Sequence, residues 1–242
     1  MARYAFSDLH GCYDVWEKIK ARVQPDDELY CLGDIIDRGE RGYEICLELM
    51  NRPNTHFIIG NHEMMAIKAL PWLLKDQFHN HTVDQWFWNG GEKTWDNIAF
   101  QLADLSDEEF TQKVWELIDW FSEMLDQLDL VYTKENKTIH LSHAGYTIGQ
   151  EDLSVVGWDR DHFWDQWPED KPNDFIVHGH TPVQFLRLAL EKGFMDPRIN
   201  IDNEPATAIQ YADGHKFCID CGTIISHRAA LLNLDTFKLD YV

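Results

Sequence analysis

Five short apolar runs in this chain each lead into side chains that can bind a metal ion or a phosphate group. Those side chains belong to Asp8 and His10, to Asp34, Asp37 and Arg38, to Asn61 and His62, to His143, and to His180. Short apolar runs bounded by turn residues are typical of buried strands. In an open α/β sheet, ligands bind beyond the carboxyl ends of the strands. The pattern therefore predicts that five segments distant in sequence converge in one crevice.

The first 60 residues alternate strand and helix signals. Residues 4–6, 29–32 and 56–59 are predicted strands, because each is short, apolar and bounded by polar residues. Helical periodicity covers residues 15–23 and 45–49 between them. This alternation favours a βαβ arrangement with a largely parallel sheet.

Residues 64–127 differ from the segment before them, because they contain few β-branched runs. They are predicted to form a helical insertion, and a capping box from Ser106 to Glu109 predicts the start of one of its helices. Four tryptophans are expected to form the core of this insertion rather than a substrate groove: Trp72, Trp86, Trp88 and Trp95.

The rest of the chain is richer in strand signals. The strands predicted here are 128–133, 138–142, 175–177, 185–190, 208–211, 217–220 and 228–234. The predicted fold class is therefore α/β, with two packed mixed β-sheets flanked by helices, and residues 1–242 form one domain.

Composition restricts the partners and the setting. The chain has 42 acidic and 21 basic residues, a formal net charge of −21, so it repels a phosphate backbone and we expect no nucleic-acid partner. No apolar run approaches the roughly 18 residues of a membrane span, and ionised residues interrupt the N-terminus before a signal-peptide core could form. We expect a cytoplasmic monomer without a membrane partner, whose five scattered cysteines are reduced.

The side chains that follow the apolar runs share one type of chemistry. Carboxylates, imidazoles and one amide suit Mn, Fe(II) or Zn better than calcium or structural zinc. They are enough for two ions with one Asp bridging them, and such a pair can bind a phosphoryl group and generate a hydroxide nucleophile. In Gly-Asp-x-x-Asp-Arg-Gly, the second Asp can orient a His while the Arg binds phosphate.

These motifs resemble those of the calcineurin-like metallophosphoesterases, and within them the lambda-type Ser/Thr protein phosphatases. The resemblance covers most of the chain, in the family's order, through SDLHGCYD, GDIIDRGERGYEICLELM, GNHEMM, WNGGEKTW, LSHAGY, GWDR, IVHGHTP and FCIDCGT. It implies an αββα sandwich with a dinuclear centre, often loaded with Mn, for which Fe or Zn are the alternatives.

The resemblance also implies roles for individual residues. One ion would take Asp8, His10 and Asp34, and the other would share Asp34 and add Asn61, His143 and His180. The general acid would be His62, held by Asp37, and the phosphate would contact Arg38, Arg160 and Asn61. His178 precedes Gly179 and is expected to point away from the site or to stack beneath it. The remaining histidines have no ligand-like context and are expected in core or surface roles: His56, His79, His81, His140, His162, His215 and His227.

The favoured function is hydrolysis of phosphomonoesters on phosphoproteins or phosphopeptides, at Ser, Thr or also Tyr. Members of the family often carry Arg before Gly-Asn-His-Glu, where this chain has Ile59, which removes one phosphate contact. Hydrolysis of dinucleoside polyphosphates is the alternative, although that branch usually has Asp at the position of Glu63. A metal-bound interaction module without turnover is a third interpretation, and a nuclease is disfavoured by the charge.

Overall fold

The computed structural model describes residues 1–149, 157–196, 198–201 and 203–242. Within these residues, ten strands form two five-stranded sheets. The strands are β1 (Arg3–Phe6), β2 (Glu28–Cys31), β3 (Thr55–Phe57), β4 (Asp129–Lys134), β5 (Lys137–Ser142), β6 (Asp174–His178), β7 (Ile209–Tyr211), β8 (Lys216–Cys218), β9 (Ala230–Asn233) and β10 (Leu239–Tyr241).

Helices connect the strands, and most of them precede β4. They are α1 (Tyr13–Lys20), α2 (Gly42–Asn51), α3 (Asn61–Leu73), α4 (His81–Trp88), α5 (Gly91–Gln101), α6 (Asp107–Ser122), α7 (Val183–Lys192) and α8 (Thr223–Ser226). A short 3₁₀ turn covers Asp161–Trp164. Ser106 caps α6 through the predicted capping box, accepting from the backbone N–H of Glu109.

Both sheets are mixed, as predicted. The first has the order β10-β9-β1-β2-β3 and the second the order β4-β5-β6-β8-β7. In the first sheet β1, β2 and β3 run parallel, and β9 and β10 are antiparallel additions. In the second sheet β5, β6 and β8 run parallel, and β4 and β7 lie antiparallel at the edges. The carboxyl ends of the parallel strands within each sheet therefore meet at one edge.

Apolar side chains fill the space between the two sheets. Ala5, Tyr30 and Leu232 of the first sheet form one buried cluster with Leu141 and Phe217 of the second. A separate core lies where the helices before β4 pack on the first sheet. The two-sheet prediction is confirmed, and the order of layers is helices, sheet, sheet, helix.

The predicted strand at residues 185–190 is wrong, because this segment lies in α7. Its alternation of apolar and polar residues imitates a strand, but Val183, Leu186 and Ala189 recur every three residues and are buried. Gly193 ends the helix with a φ of 75°. The edge strand β10 was missed, since it is three residues long and only partly buried.

All five cysteines lie in the described part of the chain, and each is buried and free, as expected. The thiol of Cys218 lies 3.2 Å from the carbonyl oxygen of Thr181, which agrees with a packing role for the C-x-x-C segment. Within the described residues, no helix is both long enough and apolar enough to cross a membrane.

Candidate metal centre

The candidate site lies beyond the carboxyl ends of β1, β2 and β3 in one sheet and of β5 and β6 in the other. Asp8 follows β1, Asp34 follows β2, and Asn61 begins α3 after β3. His143 follows β5 directly, and His180 follows β6. Segments separated by more than one hundred residues thus converge where the two sheets meet. The five apolar runs that end in ligand-type residues predict this convergence.

Two groups of buried side chains have ligand atoms close enough to hold a metal ion. The first is His10, Asp34 and His62, the second is Asp34, His143 and His180, and in each the atoms lie within 4.8 Å of one another. Asp34 belongs to both groups. Its Oδ2 lies 3.8 Å from Nε2 of both His10 and His62, and its Oδ1 lies 3.4 Å from Nε2 of His143. A carboxylate with one oxygen toward each group is placed to bridge two ions.

The second group contains a buried nitrogen without a partner. Among the described residues, Nε2 of His180 has no hydrogen-bond partner although it is buried, and such atoms are rare because they cost free energy. Burial and the nearby His143 lower the pKa of His180 well below its usual value. A lowered pKa favours the neutral imidazole, which is the form that binds metal ions, and Nε2 is a buried ring nitrogen that no other contact occupies.

The other members of this group are held by hydrogen bonds. Nδ1 of His143 lies 2.6 Å from the carbonyl oxygen of Leu32, which leaves Nε2 for the centre. That Nε2 lies 3.0 Å from Oδ1 of the buried Asn61. Burial lowers the pKa of His143, but Asp34 and Asp8 outweigh it and raise the pKa to about 10.

Asp8 reaches the site but lies outside both groups. Its two carboxylate oxygens accept from the backbone N–H of His180, at 3.1 and 3.0 Å, and the hydroxyl of Ser7 also donates to it. The resemblance implies that Asp8 shares an ion with His10 and Asp34, but the third residue close to those two is His62. Burial and the charge of Asp220 raise the pKa of Asp8 well above its usual value.

Glu63 organises the loop that carries Asp34. Its Oε2 accepts from the backbone N–H groups of Asp34 and Gly60, at 2.9 and 3.0 Å, and its Oε1 accepts from Ile35 at 2.8 Å. Burial and the charge of Asp34 raise the pKa of this carboxyl to about 7. One fully buried side chain thus ties the start of α3 to the turn after β2.

Replacing Glu63 by alanine is expected to lower the free energy of unfolding by about 3 kcal/mol or more, since three buried N–H groups lose their acceptor. Urea unfolding measures the change. The matched control is Glu191→Ala on the exposed face of α7, expected to cost about 0.5 kcal/mol or less. Equal stability of the two variants would contradict this role of Glu63.

His62 and Asp37 form a buried dyad. Nδ1 of His62 lies 2.6 Å from Oδ2 of Asp37. The indole of Trp86 donates to the same oxygen at 2.8 Å, and the hydroxyl of Thr94 donates to Oδ1 at 2.7 Å. Burial lowers the pKa of His62, but Asp34 and Asp37 outweigh it and raise the pKa above its usual value. The imidazole is therefore oriented by a carboxylate at Nδ1, which leaves Nε2 toward the site.

Two arginines lie beside the metal groups. The guanidinium of Arg38 lies 2.8 Å from Nε2 of His10 and 2.9 Å from Nε2 of His62. Nε of Arg160 donates to the hydroxyl of Thr181 at 3.0 Å, and this threonine follows His180 directly. Burial lowers the pKa of Arg160, and the carboxylates of Asp220, Asp34 and Asp8 act against this effect. Both cations are thus placed within the field of the buried carboxylates.

Backbone geometry brings the loops close together. Asp8, Asp34 and Asp37 have φ values of 54°, 54° and 71°, in the left-handed region that costs free energy for residues other than glycine. Two glycines permit the close approach: a Cβ on Gly60 would lie 2.2 Å from Oδ1 of Asp34, and one on Gly179 would lie 2.0 Å from Oδ2 of Asp8. Strained backbone of this kind clusters at functional sites.

Sequence reasoning missed several residues of the site. Asp220 follows the apolar run of β8, so the pattern that found the other ligands could have found it. It is 2% exposed, and burial raises the pKa of its carboxyl to about 6. Trp86 was expected in the core and lies there, but it also donates to Asp37. The core prediction is wrong for Trp72 and Trp88, which are 41% and 90% exposed.

The residues present fit a metal centre. The carboxylates of Asp8, Asp34, Glu63 and Asp220 are all buried within this small region, and buried negative charge is costly unless it is paired or coordinates a metal. The donors are carboxylate oxygens and imidazole nitrogens, which suit first-row divalent ions. The free Nε2 of His180 adds an unsatisfied ligand atom.

The chain belongs to the calcineurin-like phosphoesterase family, whose family model matches residues 1–205. It is a metal-dependent phosphoesterase by this membership. It is 30% identical over 206 residues to serine/threonine-protein phosphatase 2 of Salmonella typhimurium, a match that covers 80% of this chain and 85% of the relative. It is also 30% identical over 152 residues to a symmetrical bis(5'-nucleosyl)-tetraphosphatase of Actinobacillus succinogenes, covering 60% of this chain and 44% of that enzyme.

Solved structures support the same fold. A cold-active protein-tyrosine phosphatase of a psychrophilic Shewanella aligns with a TM-score of 0.59 at 16% identity, over 99% of this chain and 76% of that one. A protein serine/threonine phosphatase from Saccharomyces cerevisiae aligns with a TM-score of 0.53 at 13% identity. The alignment covers 100% of this chain and 79% of that one. At these identities the likeness concerns the fold alone.

Proposed function

We propose that this protein hydrolyses phosphomonoesters on phosphoproteins or phosphopeptides, at serine, threonine or also tyrosine, with two divalent ions. The observation that carries the proposal is the His62–Asp37 dyad, in which His62 also belongs to one of two metal groups that share Asp34. A protein that only bound metal would not need a buried, oriented imidazole at the same place. We further propose that the protein acts in the cytoplasm, and that the phosphorylated protein or peptide is its only macromolecular partner.

The residues proposed to hold the ions are those that the family resemblance implies. His10, Asp34 and Asp8 would hold one ion, and Asp34, Asn61, His143 and His180 the other. The close approach of His10 to Asp34, and of His143 and His180 to Asp34, supports this assignment. Mn is the ion we propose first, because the donors combine carboxylate, imidazole and amide groups. When bound, the ions supply Lewis acidity toward the phosphoryl group and toward the attacking water.

The remaining residues of the site position and protonate the substrate. Arg38 and Arg160 would bind phosphate oxygens, since guanidinium groups match phosphate geometry, and Asn61 would contact the same group. Asp37 holds Nδ1 of His62, so Nε2 is the atom that donates a proton to the leaving oxygen. Ile59 is buried in the core, so the phosphate would depend on two arginines rather than three.

Support for a protein substrate comes from the relatives. The match to the Salmonella serine/threonine-protein phosphatase covers 85% of that protein, whereas the match to the tetraphosphatase covers 44% of that enzyme. The chain also has Glu63 where the tetraphosphatase branch usually has Asp. A net charge of −21 repels a polyanionic dinucleoside polyphosphate more strongly than a peptide.

A direct comparison of substrates tests this proposal. We expect kcat/KM with Mn to be about 10-fold or more higher for a phosphoserine peptide than for a symmetrical dinucleoside tetraphosphate. The Asp34→Asn variant serves as the control that the activity belongs to this site. Preference for the tetraphosphate would favour the second candidate function, and absence of turnover on both would favour the interaction module.

A further inference from the structure

Within the described part of the chain, Lys216 is a buried lysine without an acidic partner, and it packs against the 3₁₀ turn that follows Arg160. Lys216 begins β8 and is 1% exposed. Among the described residues, no carboxylate lies at ion-pair distance from its ammonium, which instead donates to the carbonyl oxygen of His162 at 2.7 Å. Burial lowers its pKa to about 8, against the effect of Asp165 and Asp159. A buried unpaired charge is costly, so its retention calls for an explanation.

The contacts of His162 define its tautomer. Nε2 of His162 lies 2.8 Å from the carbonyl oxygen of Ala144, which can only accept, so Nε2 carries the proton. Nδ1 is then an acceptor, and Nζ of Lys216 lies 3.2 Å from it. Lys216 thus binds both the ring and the carbonyl of one residue. Ala144 follows His143 directly, so the ring ties the 3₁₀ turn to the loop that bears a candidate metal ligand.

His162 is 1% exposed, and close neighbours restrict its ring. A Cβ on Gly145 would lie 2.5 Å from its ring, so only glycine fits there. The ring of His178 lies edge-on at 5.3 Å, and its Nε2 is 2.8 Å from the hydroxyl of Tyr211. Burial lowers the pKa values of His162 and His178 to about 2 and about 3, which keeps both rings neutral.

Arg160 lies at the start of this clamped turn. It immediately precedes the turn Asp161–Trp164, and its carbonyl oxygen accepts from Phe163 at 3.4 Å. Phe163 is 2% exposed and packs with Val183 and Cys218. On the other side, the guanidinium of Arg160 is anchored by Thr181. The position of this arginine therefore depends on the turn that Lys216 holds.

We propose that Lys216 is a positioning residue for phosphate binding, which acts through His162 and the 3₁₀ turn to hold Arg160 over the metal centre. The inference rests on the proposed function, since it takes Arg160 as a phosphate ligand. The buried ammonium donates to the ring nitrogen of His162 and adds a second donor to the carbonyl oxygen of His162, which also accepts from the backbone N–H of Asp165. Lys216 itself does not touch the substrate.

A double-mutant cycle tests the inference. Lys216→Met keeps an unbranched side chain that is one bond shorter and removes its donors. With Mn-loaded protein, we expect it to weaken binding of inorganic phosphate, measured by calorimetry, and to lower kcat/KM for p-nitrophenyl phosphate, each by about 10-fold or more, because a misplaced guanidinium loses its contacts. In the Arg160→Ala background, Lys216→Met is expected to lower phosphate affinity and kcat/KM by about 2-fold or less, since the guanidinium that Lys216 positions is already absent.

Phe217→Leu is the matched control, because Phe217 is the next residue of β8 and points into the core between the sheets. Phe217→Leu is expected to lower stability, and its effect on phosphate binding and kcat/KM should be the same with and without Arg160. Lys216→Gln, whose polar side chain is likewise one bond shorter than that of lysine and carries no charge, enters the same cycle if Lys216→Met does not fold. Equal losses with and without Arg160, or a loss no larger than that of Phe217→Leu, would overturn the inference. Inactive wild-type protein would instead count against the proposed function.

Discussion

The Asp34→Asn variant is expected to lose about 10³-fold or more in kcat/KM for p-nitrophenyl phosphate. Asp34 is the one side chain that belongs to both metal groups, with an oxygen toward each. Asparagine keeps the volume and still offers Oδ1 to the backbone N–H of His62, which that oxygen now accepts at 3.1 Å. The loss should therefore reflect the missing charge and second ligand oxygen rather than unfolding.

Binding of Mn to the chelator-treated variant gives a second readout. We expect the affinity for both ions to fall, since the bridging ligand serves both groups. Asp104→Asn is the control, because Asp104 is exposed in the turn after α5 and lies in neither group. Normal activity of Asp34→Asn with bound Mn would contradict the bridging role. Loss of one ion alone would assign Asp34 to a single group.

The His62→Asn variant is expected to lose about 10²-fold to 10⁴-fold in kcat on a phosphoserine peptide, and much less on p-nitrophenyl phosphate. A serine alkoxide is a poor leaving group that needs a proton, whereas p-nitrophenolate leaves without one. His62 can supply that proton because Asp37 holds its Nδ1, and because Asp34 and Asp37 raise the pKa of the imidazole above its usual value.

A series of aryl phosphates measures this dependence directly. For wild-type protein, log kcat should change little with the pKa of the leaving phenol, and for His62→Asn it should fall steeply as that pKa rises. Asp37→Asn should show the same trend with a smaller slope, since the imidazole remains but is less well oriented. If His62→Asn lost the same factor in kcat on all substrates and also lost bound Mn, His62 would be a metal ligand rather than the proton donor. Its place in the group with His10 and Asp34 allows that role.

Much of this site could be predicted because its metal-binding and phosphate-binding side chains come directly after the predicted strands in the sequence. Asp34, His143 and His180 come directly after buried runs, and parallel strands bring such residues to one edge. The same reasoning applied to β8 would have found Asp220. These predictions depend only on local order along the chain, which the sequence shows directly.

The features that sequence reasoning missed depend on tertiary contacts. Trp86 looks like any core tryptophan until its indole is seen to donate to Asp37. Lys216 and His162 lie 54 positions apart, and neither has a motif that would pair them. The strand prediction at residues 185–190 was wrong because the apolar residues of a short segment fit both the strand period and the helix period. The helix forms because it buries its apolar face against Phe163 and Cys218.

Metal stoichiometry coupled to turnover tests the central claim most directly. Protein treated with a chelator is titrated with Mn, and bound ions per chain are measured beside hydrolysis of p-nitrophenyl phosphate. The account predicts two ions per chain, negligible turnover without metal, and full turnover only when the second ion binds. Turnover that persists in chelator-treated protein, or full activity with a single bound ion, would contradict it.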